Sequence, residues 1–267
     1  MRTLLAEAEK GGYAVGSFSV ANMECVRGVL QAAEENHAPV IMQIAESRLT
    51  GSPLELMAPM MIAAAKIASV PIAVHLDHGK TVGCVKRALE LGFTSVMCDG
   101  SELPIGDNIA LTSEIVRLAA KTGAAVEAEV GRVGKTEEGG EAEEKIASID
   151  DCVKMDEIGI DALAVGIGNA HGLYAASPVL RYDVLENLHG KLRASLVLHG
   201  GSGLTDEQFR KLIELGMRKI NIATDIFIAQ ASACQSSDVY KNIKASTAAV
   251  AQVVGRYIRL FGSEGKA

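Results

Sequence analysis

Val197-Leu198-His199-Gly200-Gly201-Ser202-Gly203 is the stretch of sequence that most strongly indicates the fold. Its apolar, β-branched beginning is typical of a buried strand, and the glycines that follow favour a bare backbone turn. Thr205-Asp206-Glu207-Gln208 then matches a capping box, which predicts that a helix begins there. A histidine thus stands at the carboxyl end of a strand, beside exposed N–H groups at a helix start. Such a unit can hold a metal ion and an anion together, which indicates a phosphorylated ligand.

The alternation of strand and helix repeats along the chain. Ser52-Pro53-Leu54-Glu55 predicts another capping box. Continuous apolar strands are typical of a parallel sheet, and eight βα units in about 250 residues fit an α/β protein with a (β/α)8 TIM barrel. Stretches near 225–235 and 238–260 predict additional C-terminal helices. A doubly wound open sheet is the alternative, but no G-x-G-x-x-G follows the first strand. The eight predicted strands are residues 14–20, 40–44, 71–76, 94–98, 124–130, 161–167, 194–198 and 218–222.

Composition narrows the class of protein further. Residues 1–267 are expected to form a single domain. The net charge of −7, without a long basic run, argues against nucleic acid or an anionic membrane as partner. Five cysteines without a C-x-x-C pair suit free thiols, and no stretch reaches the roughly 18 apolar residues of a membrane span. We therefore expect a cytoplasmic protein.

Three histidines lie at equivalent places, each after a predicted strand and each followed by glycine: His78, His171 and His199. One such histidine alone is more often a packed or capping residue. Three imidazoles at the mouth of one barrel, with a fourth position open, match a catalytic zinc arrangement. His75 stands earlier in its strand and is expected to support the ligands from behind.

Carboxylates collect at the same mouth. Asp77 precedes a predicted metal ligand and is the best candidate for a general acid/base, with a supporting or helix-capping role as the alternative. Asp99 and Glu129 end the fourth and fifth strands, where they would form an alternate second metal position or order the histidines. Glycine-rich Gly131 to Lys145 predicts a mobile loop at this rim.

An anion site is predicted where barrels most often bind phosphate, after the seventh and eighth strands. Gly200-Gly201-Ser202 and Asn221-Ile222-Ala223-Thr224 supply backbone N–H groups and a helix start there. The glycine loop alone is a weak signal, because any tight βα turn favours glycine.

These segments together resemble the class II, metal-dependent fructose- and tagatose-bisphosphate aldolase family. The resemblance runs from about residue 14 to the C-terminus and is most specific in the motifs LDHG, NAHGLY and HGGSG. The segments that carry it are LDHG (76–79), CDGSELPIGDNI (98–109), EAEVG (127–131), DALAVGIGNAHGLY (161–174), LVLHGGSG (196–203), KINIATD (219–225) and IRLFGS (258–263).

The resemblance implies reversible cleavage of a ketose (bis)phosphate to dihydroxyacetone phosphate and an aldehyde through a zinc-stabilised enediolate. It implies one Zn²⁺ on the three histidines, with Asp77 moving the proton of the hydroxyl at the cleaved bond and Glu137 that of the enediolate carbon. It also implies a monovalent cation, Na⁺ or K⁺, and a homodimer or homotetramer. The residues implied to surround the dihydroxyacetone phosphate half are Gly172, Gly200, Gly201, Ser202, Asn221, Ala223 and Thr224.

Several positions depart from the family pattern. Ser19 stands where asparagine is common, Ala45 where fructose-bisphosphate enzymes have a phosphate-contacting serine, and Ala223 where fructose-specific members have aspartate. Lys135 replaces a loop glycine. The ketone half of the site is therefore expected to be intact, while the aldehyde remains open. For Arg256 and Arg259 two interpretations stay open. One of them reaches the substrate of a neighbouring subunit, or both are solvated charges on the last helix.

Two other functions compete with this one. A non-catalytic, aldolase-like subunit would need none of the three histidines. A metal-dependent hydrolase on the same barrel usually has an H-x-H pair on its first strand, where Phe18 and Val20 stand. A lysine that forms a Schiff base is disfavoured, because none lies in the sixth strand and Lys219 is expected at the bottom of the barrel.

Overall fold

The computed structural model describes residues 1–135, 145–172, 174 and 176–267. Eight parallel strands close into a barrel in the order β1-β10-β9-β7-β5-β4-β3-β2, and β6 and β8 pair in a separate two-stranded sheet. The predicted α/β barrel is confirmed. The strands are β1 (Val15–Ser19), β2 (Val40–Ala45), β3 (Ile72–Gly79), β4 (Ser95–Cys98), β5 (Ala125–Val130), β6 (Gly134–Lys135), β7 (Ala162–Val165), β8 (Ala170–His171), β9 (Ser195–Leu198) and β10 (Met217–Ile222).

Helices follow the barrel strands and cover the outside of the barrel, and two of them extend the chain beyond the last strand. The long last helix packs against α2 and α9. The helices are α1 (Arg2–Gly11), α2 (Met23–Glu35), α3 (Leu54–Ile67), α4 (Val82–Glu90), α5 (Ile105–Ala119), α6 (Ile149–Glu157), α7 (Tyr182–Leu188), α8 (Asp206–Glu214), α9 (Thr224–Ser232) and α10 (Val239–Leu260).

The two predicted capping boxes have different outcomes. At α8, the Thr205 hydroxyl accepts from the Gln208 N–H at 3.2 Å and the Gln208 side chain accepts from the Thr205 N–H at 2.9 Å, as predicted. At α3 the prediction is wrong, because Pro53 is the N-cap and makes no side-chain cap. The Ser52 hydroxyl instead donates to the carbonyl of Ala21 at 2.7 Å.

Strand β3 runs three residues further than predicted, so Asp77 and His78 lie within it rather than after it. The extension exists because Gly79 pairs with Cys98 of β4, after a register shift that begins at Leu76. His78 within this irregular stretch has φ of 43°, a left-handed conformation that non-glycine residues rarely adopt and that is common at functional sites.

The barrel interior is layered. Its lower part is apolar, with Val15, Ile41 and Val197 packed against Leu5 and Ala8 of α1, which closes this end. Polar residues occupy the next inward positions of the strands and continue to the open end. The main apolar core lies between the outer face of the barrel and the helices.

Two further sequence predictions concern loops and membranes. The predicted mobile loop falls mostly on residues 136–144, outside the described residues. Its two ends are joined by an antiparallel bridge in which the Arg132 N–H donates to the Lys145 carbonyl at 2.8 Å. Among the described helices, we find none that combines the length and the apolar character needed to cross a membrane.

Candidate active site

The three predicted histidine ligands converge at the carboxyl ends of the strands. His78 is the second-last residue of β3, His171 is the second residue of β8, and His199 directly follows β9. The imidazole centroid of His78 lies 4.8 Å from that of His171 and 4.6 Å from that of His199, and the other two are 5.9 Å apart. One ligand nitrogen from each ring lies within 4.8 Å of the other two.

Hydrogen bonds assign the tautomers of two of these rings. Nδ1 of His78 lies 2.9 Å from Oδ2 of Asp99, and Nε2 of His199 lies 2.8 Å from Oε1 of Glu127. Because a carboxylate accepts, each of these nitrogens carries the hydrogen. The remaining nitrogens, Nε2 of His78 and Nδ1 of His199, face each other at 2.8 Å. With one proton between them this contact is an N–H···N hydrogen bond. A metal ion can take the place of that proton, so the three converging imidazole nitrogens fit a metal ion.

The charges around the histidines shift their pKa values in different directions. Burial opposes the imidazolium of His78, but Asp77, Asp99 and Glu129 outweigh it and raise its pKa to about 9. Burial, followed by the charge on His78, lowers the pKa of both His171 and His199 well below the usual histidine value. In the metal-free site a single proton is therefore held mainly on His78.

Asp99 and Glu129 form a second group of potential ligands with His78. Burial raises the pKa of Asp99, but its contacts with charged His78 outweigh burial and hold the pKa far below the usual carboxyl value. Burial and the neighbouring charge of Asp99 raise the pKa of Glu129 to about 8. Oε2 of Glu129 lies 3.8 Å from Nδ1 of His199 and 4.0 Å from Nδ1 of His78. This geometry accommodates both predicted roles, an alternate metal position and an ordering contact.

Asp77 is 5 % exposed and lies beside the histidines, where two amides hold its carboxylate. Asn221 Nδ2 donates to Oδ1 at 3.2 Å, and Gln43 Nε2 donates to Oδ2 at 3.1 Å. The Gln43 amide is oriented in turn, because the Ser17 hydroxyl donates to its Oε1 while its Nε2 also reaches the Ser19 hydroxyl at 3.1 Å. Asp77 therefore presents a fixed carboxylate to the mouth of the barrel.

The predicted anion loops lie side by side after β9 and β10. The Gly201 N–H donates to the Asn221 carbonyl at 3.1 Å, and Ser202 Oγ accepts from the Asp225 N–H at 3.4 Å. Gly203 has φ of 88° in the turn closed by Leu204. Within the described part of the chain, the N–H groups of Ser202 and Gly203 have no hydrogen-bond acceptor. Helix α9 begins beside them at Thr224, with Ala223 as its N-cap.

Two side chains not identified from the sequence join the histidine loops. The Asn169 amide donates to the His199 carbonyl at 2.8 Å. The Tyr174 hydroxyl accepts from the Ala170 N–H at 3.0 Å and donates to the Gly200 carbonyl at 2.7 Å. Both belong to the NAHGLY stretch, so the motif holds the next loop in place besides supplying His171. Gly172 is buried within it, with φ of 97°.

A cavity of about 360 Å³ opens at this mouth and is large enough for a small sugar phosphate. Asp77, His78 and His171 lie in its wall. Three of the four positions that depart from the family pattern also line it: Ser19, Ala45 and Ala223. Arg48, Lys80 and Arg132 give the lining a basic side.

Beneath the cavity lies a charged group that sequence reasoning missed. Lys219 is the third residue of β10, and its backbone pairs in register with Val15 and Val197 of the lower part of the barrel. It is 0 % exposed, because its side chain points into the interior and pairs with Glu127. His75 is also buried there, with Nδ1 2.9 Å from the Ser95 hydroxyl and Nε2 3.7 Å from Glu127 Oε2. The supporting position predicted for His75 agrees with this geometry.

Some candidate residues lie outside or away from the site. Glu137 falls outside the described residues. The two arginines of α10 are bound within the chain: Arg256 Nη2 lies 2.7 Å from Asp206 Oδ1, and Arg259 Nη1 donates to Asn36 Oδ1 at 2.8 Å.

Comparisons with known proteins agree on one kind of enzyme, an aldolase. Residues 1–266 match the family model for class II fructose-bisphosphate aldolase. The chain is 41 % identical to a 6-phospho-5-dehydro-2-deoxy-D-gluconate aldolase of Halalkalibacterium halodurans, over 100 % of this chain and 97 % of that protein. It is 36 % identical to a sulfofructosephosphate aldolase of Alkalicoccus urumqiensis, with the same coverage. The crystal structure of the YdjI aldolase from Escherichia coli K12 superposes with a TM-score of 0.91 at 34 % identity, covering 100 % of this chain and 98 % of that one.

Proposed function

The chain belongs to the class II fructose-bisphosphate aldolase family, and we propose that it reversibly cleaves a ketose (bis)phosphate to dihydroxyacetone phosphate and an aldehyde. The observation that carries this proposal is the convergence of His78, His171 and His199, each with one imidazole nitrogen within 4.8 Å of the other two, in the cavity that Asp77 also lines. A site with these groups can bind a cation and move a proton within one cavity.

The proposed metal is one Zn²⁺ per chain, held by His78, His171 and His199. When bound, the ion would act as a Lewis acid that stabilises the negative charge arising on the substrate's carbonyl and adjacent hydroxyl oxygens. Asp99 and Glu127 hold two of the imidazoles in the tautomers that present a bare nitrogen to the ion.

Asp77 is the proposed acid/base. In the cleavage direction it takes the proton of the hydroxyl next to the bond that breaks, which becomes the aldehyde oxygen. The electron pair of the carbon–carbon bond then passes to the ketone fragment and gives an enediolate. Protonation of the enediolate carbon completes dihydroxyacetone phosphate, and Glu137 is the proposed donor. The amides of Asn221 and Gln43 hold the carboxylate of Asp77 in place by donating to both of its oxygens.

The phosphate of the ketone half is proposed to bind where the two anion loops meet. The N–H groups of Ser202 and Gly203 are available there, and the start of α9 adds its partial positive charge. A monovalent cation, Na⁺ or K⁺, is proposed beside this loop. The remaining proposed contacts come from residues of the same two loops and of the NAHGLY stretch: Gly172, Gly200, Gly201, Asn221, Ala223 and Thr224.

The aldehyde half is proposed to differ from that of a fructose-bisphosphate enzyme. Ala45 carries no hydroxyl for a second phosphate, and Ser19 already accepts from the Gln43 amide at 3.1 Å. Relatives of this chain carry names with three different phosphosugars, in agreement with a variable aldehyde.

The proposal is tested by measuring dihydroxyacetone phosphate release from a panel of C4–C6 ketose monophosphates, bisphosphates and acidic keto-sugar phosphates. We expect cleavage of at least one member, loss of activity in EDTA, and no inactivation by borohydride added with substrate. Activity that survives EDTA, or that borohydride abolishes, would contradict the metal mechanism. Zinc binding without cleavage of any member would favour the non-catalytic subunit. If fructose 1,6-bisphosphate is by far the best substrate, the inference from Ser19, Ala45 and Ala223 that the aldehyde half differs is refuted.

The quaternary structure is also a proposal. We expect a homodimer or homotetramer of the 28.0 kDa chain, measured by light scattering on the eluting protein.

A further inference from the structure

A buried lysine lies beneath the site, and the proposed chemistry gives it no role. Nζ of Lys219 lies 3.1 and 3.0 Å from the two carboxylate oxygens of Glu127 and 2.7 Å from Oδ1 of Asn221. The side chains of Lys219 and Glu127 are both 0 % exposed. A buried ammonium group is costly unless it is paired, so these partners fix where the amine lies.

We propose that Lys219 is a positioning residue that orients Asn221 toward Asp77 and, through Glu127, His199 toward the metal position. The inference rests on the proposed function, in which Asp77 moves a proton and His199 is a metal ligand. Lys219 itself lies below the cavity and touches neither reacting group.

Lys219 acts directly on the amide of Asn221. An ammonium group only donates hydrogen bonds, so the amide must turn its oxygen toward Lys219. Its nitrogen then faces Oδ1 of Asp77, where it donates at 3.2 Å. A flipped amide would place NH₂ against the ammonium and oxygen against the carboxylate, and both contacts would be repulsive. The charge of Lys219 thus selects the amide orientation that holds Asp77.

Lys219 also acts on His199, through the carboxylate of Glu127. Oε1 of Glu127 accepts from both Lys219 Nζ and His199 Nε2, at 3.1 and 2.8 Å. Since the carboxylate accepts, the hydrogen of His199 is on Nε2 and the bare Nδ1 faces the site. The other imidazole near Glu127 is that of His75, 3.7 Å from Oε2. Lys219 therefore fixes the carboxylate that sets the tautomer of His199.

A lysine that only balances the charge of Glu127 would have different consequences. Its removal would lower stability without changing how the folded protein binds metal or turns over substrate. A positioning lysine affects the zinc dissociation constant through His199 and kcat through Asp77. These two quantities distinguish the two roles.

The test compares Lys219→Met with Arg218→Met as the matched control. Arg218 is the neighbouring residue of β10 and is also a buried cation, but it pairs with Glu9 at 2.9 Å, outside the interior network. For each purified holoenzyme we would measure the melting temperature, the zinc dissociation constant by chelator competition, and kcat and KM on the best substrate of the panel. Lys219→Met is expected to weaken zinc binding and lower kcat, each by about 10- to 100-fold. Arg218→Met is expected to lower the melting temperature alone.

A Lys219→Met protein that differs from wild type only in melting temperature would overturn the proposal. If that variant does not fold, Glu127→Gln replaces it, because the amide keeps the shape but can turn its NH₂ toward His199. We expect the same loss of zinc affinity, and wild-type affinity would overturn the proposal. If wild-type protein binds zinc but cleaves no substrate, the proposed function fails while the zinc measurement still tests the link to His199.

Discussion

The chemistry of the site depends on where single protons lie. Asp99 and Glu127 each hold one imidazole hydrogen away from the centre of the site, so the other nitrogens of His78 and His199 face each other and share one proton. The carboxylate of Asp77 is oriented by two amides, which donate to both of its oxygens. His78, His199 and Asp77 are therefore each oriented by groups that accept from the imidazoles or donate to the carboxylate.

Replacement of Asp77 by Asn tests its proposed role directly. Asp77→Asn keeps the size of the side chain but removes the base, so kcat should fall by about 10²- to 10⁴-fold while KM and zinc content stay unchanged. Steady-state kinetics and metal analysis measure this. The control is Asp156→Asn, which alters another buried carboxylate, one that accepts from the Ala194 N–H at 2.7 Å away from the site. Near-normal kcat in Asp77→Asn would remove this residue from the mechanism.

Zinc affinity should depend on pH because the metal displaces a proton. The pKa of His78 is raised to about 9 in the metal-free protein, so the ring is charged at neutral pH and binds metal more readily as pH rises. Between pH 6 and 8 the zinc dissociation constant should fall by about 100-fold, ten-fold for each pH unit below that pKa. Calorimetry in buffers of different ionisation enthalpy would measure both the affinity and the proton released. Affinity that does not change over this range would show that His78 is not protonated or not a ligand.

At the scale of the strands, the pattern that sequence reasoning overlooked is one of alternating polar residues. Strands β1, β3, β5 and β10 each carry two polar residues separated by one buried apolar residue. Since alternate side chains of a strand point to opposite faces, these pairs line the barrel interior. Sequence reasoning took such strands as apolar on both faces and so missed Glu127 and its pairing with Lys219. The pairs are Ser17 and Ser19, His75 and Asp77, Glu127 and Glu129, and Lys219 and Asn221.

Of the two sequence patterns that predicted a capping box, one forms and the other does not. The capping box at Thr205 forms because the distant contacts of Gln208, to Ser177 and Pro178, use its amide nitrogen and leave its oxygen to accept from the Thr205 N–H. Ser52 fits the same pattern, but the carbonyl of Ala21 takes its hydroxyl. A contact with a residue distant in sequence thus overrides a local preference, and no local pattern reveals it.

The turn after β9 gives a prediction at the scale of one loop. Gly200 has φ of 64°, and a Cβ added there would lie 2.1 Å from the carbonyl oxygen of Ala170. Gly200→Ala must displace this contact, so it should misplace the adjacent His199, weaken zinc binding and destabilise the fold. Gly190→Ala is the control, since Gly190 has φ of 74° but open space around the added Cβ. The control should cost about 1–2 kcal/mol in urea unfolding and leave zinc binding intact. Equal effects of the two substitutions would contradict a special role for this turn.

Across the whole molecule, apolar packing lies at one end of the barrel axis and the candidate functional groups lie at the other. The closed end is apolar and covered by α1, the middle holds the buried charges, and the open end holds the histidines. The eight-stranded barrel, its extra C-terminal helices and the convergence of His78, His171 and His199 followed from sequence spacing, because the carboxyl ends of parallel strands meet at one end. The small sheet of β6 and β8 did not, because each strand has only two residues.

The separation predicts that the closed end can be weakened without changing the chemistry. Leu5 is 1 % exposed beneath the barrel, and Leu5→Ala should lower the free energy of unfolding by about 2–5 kcal/mol through the cavity it leaves. The folded variant should keep wild-type kcat and zinc affinity. Leu4→Ala, at a partly buried neighbour, should cost less. A fall in kcat that accompanies the loss of stability in Leu5→Ala would show that the two ends are coupled.

The measurement that tests the account most directly is a zinc titration of metal-stripped protein, with dihydroxyacetone phosphate release recorded at each step on a cleavable ketose phosphate. With the proposed zinc mechanism we expect no activity without metal and a linear return of activity that saturates at one zinc per chain. It also predicts that His199→Ala regains no activity at any zinc concentration. Cleavage by the metal-stripped protein, or full activity of His199→Ala, would contradict it.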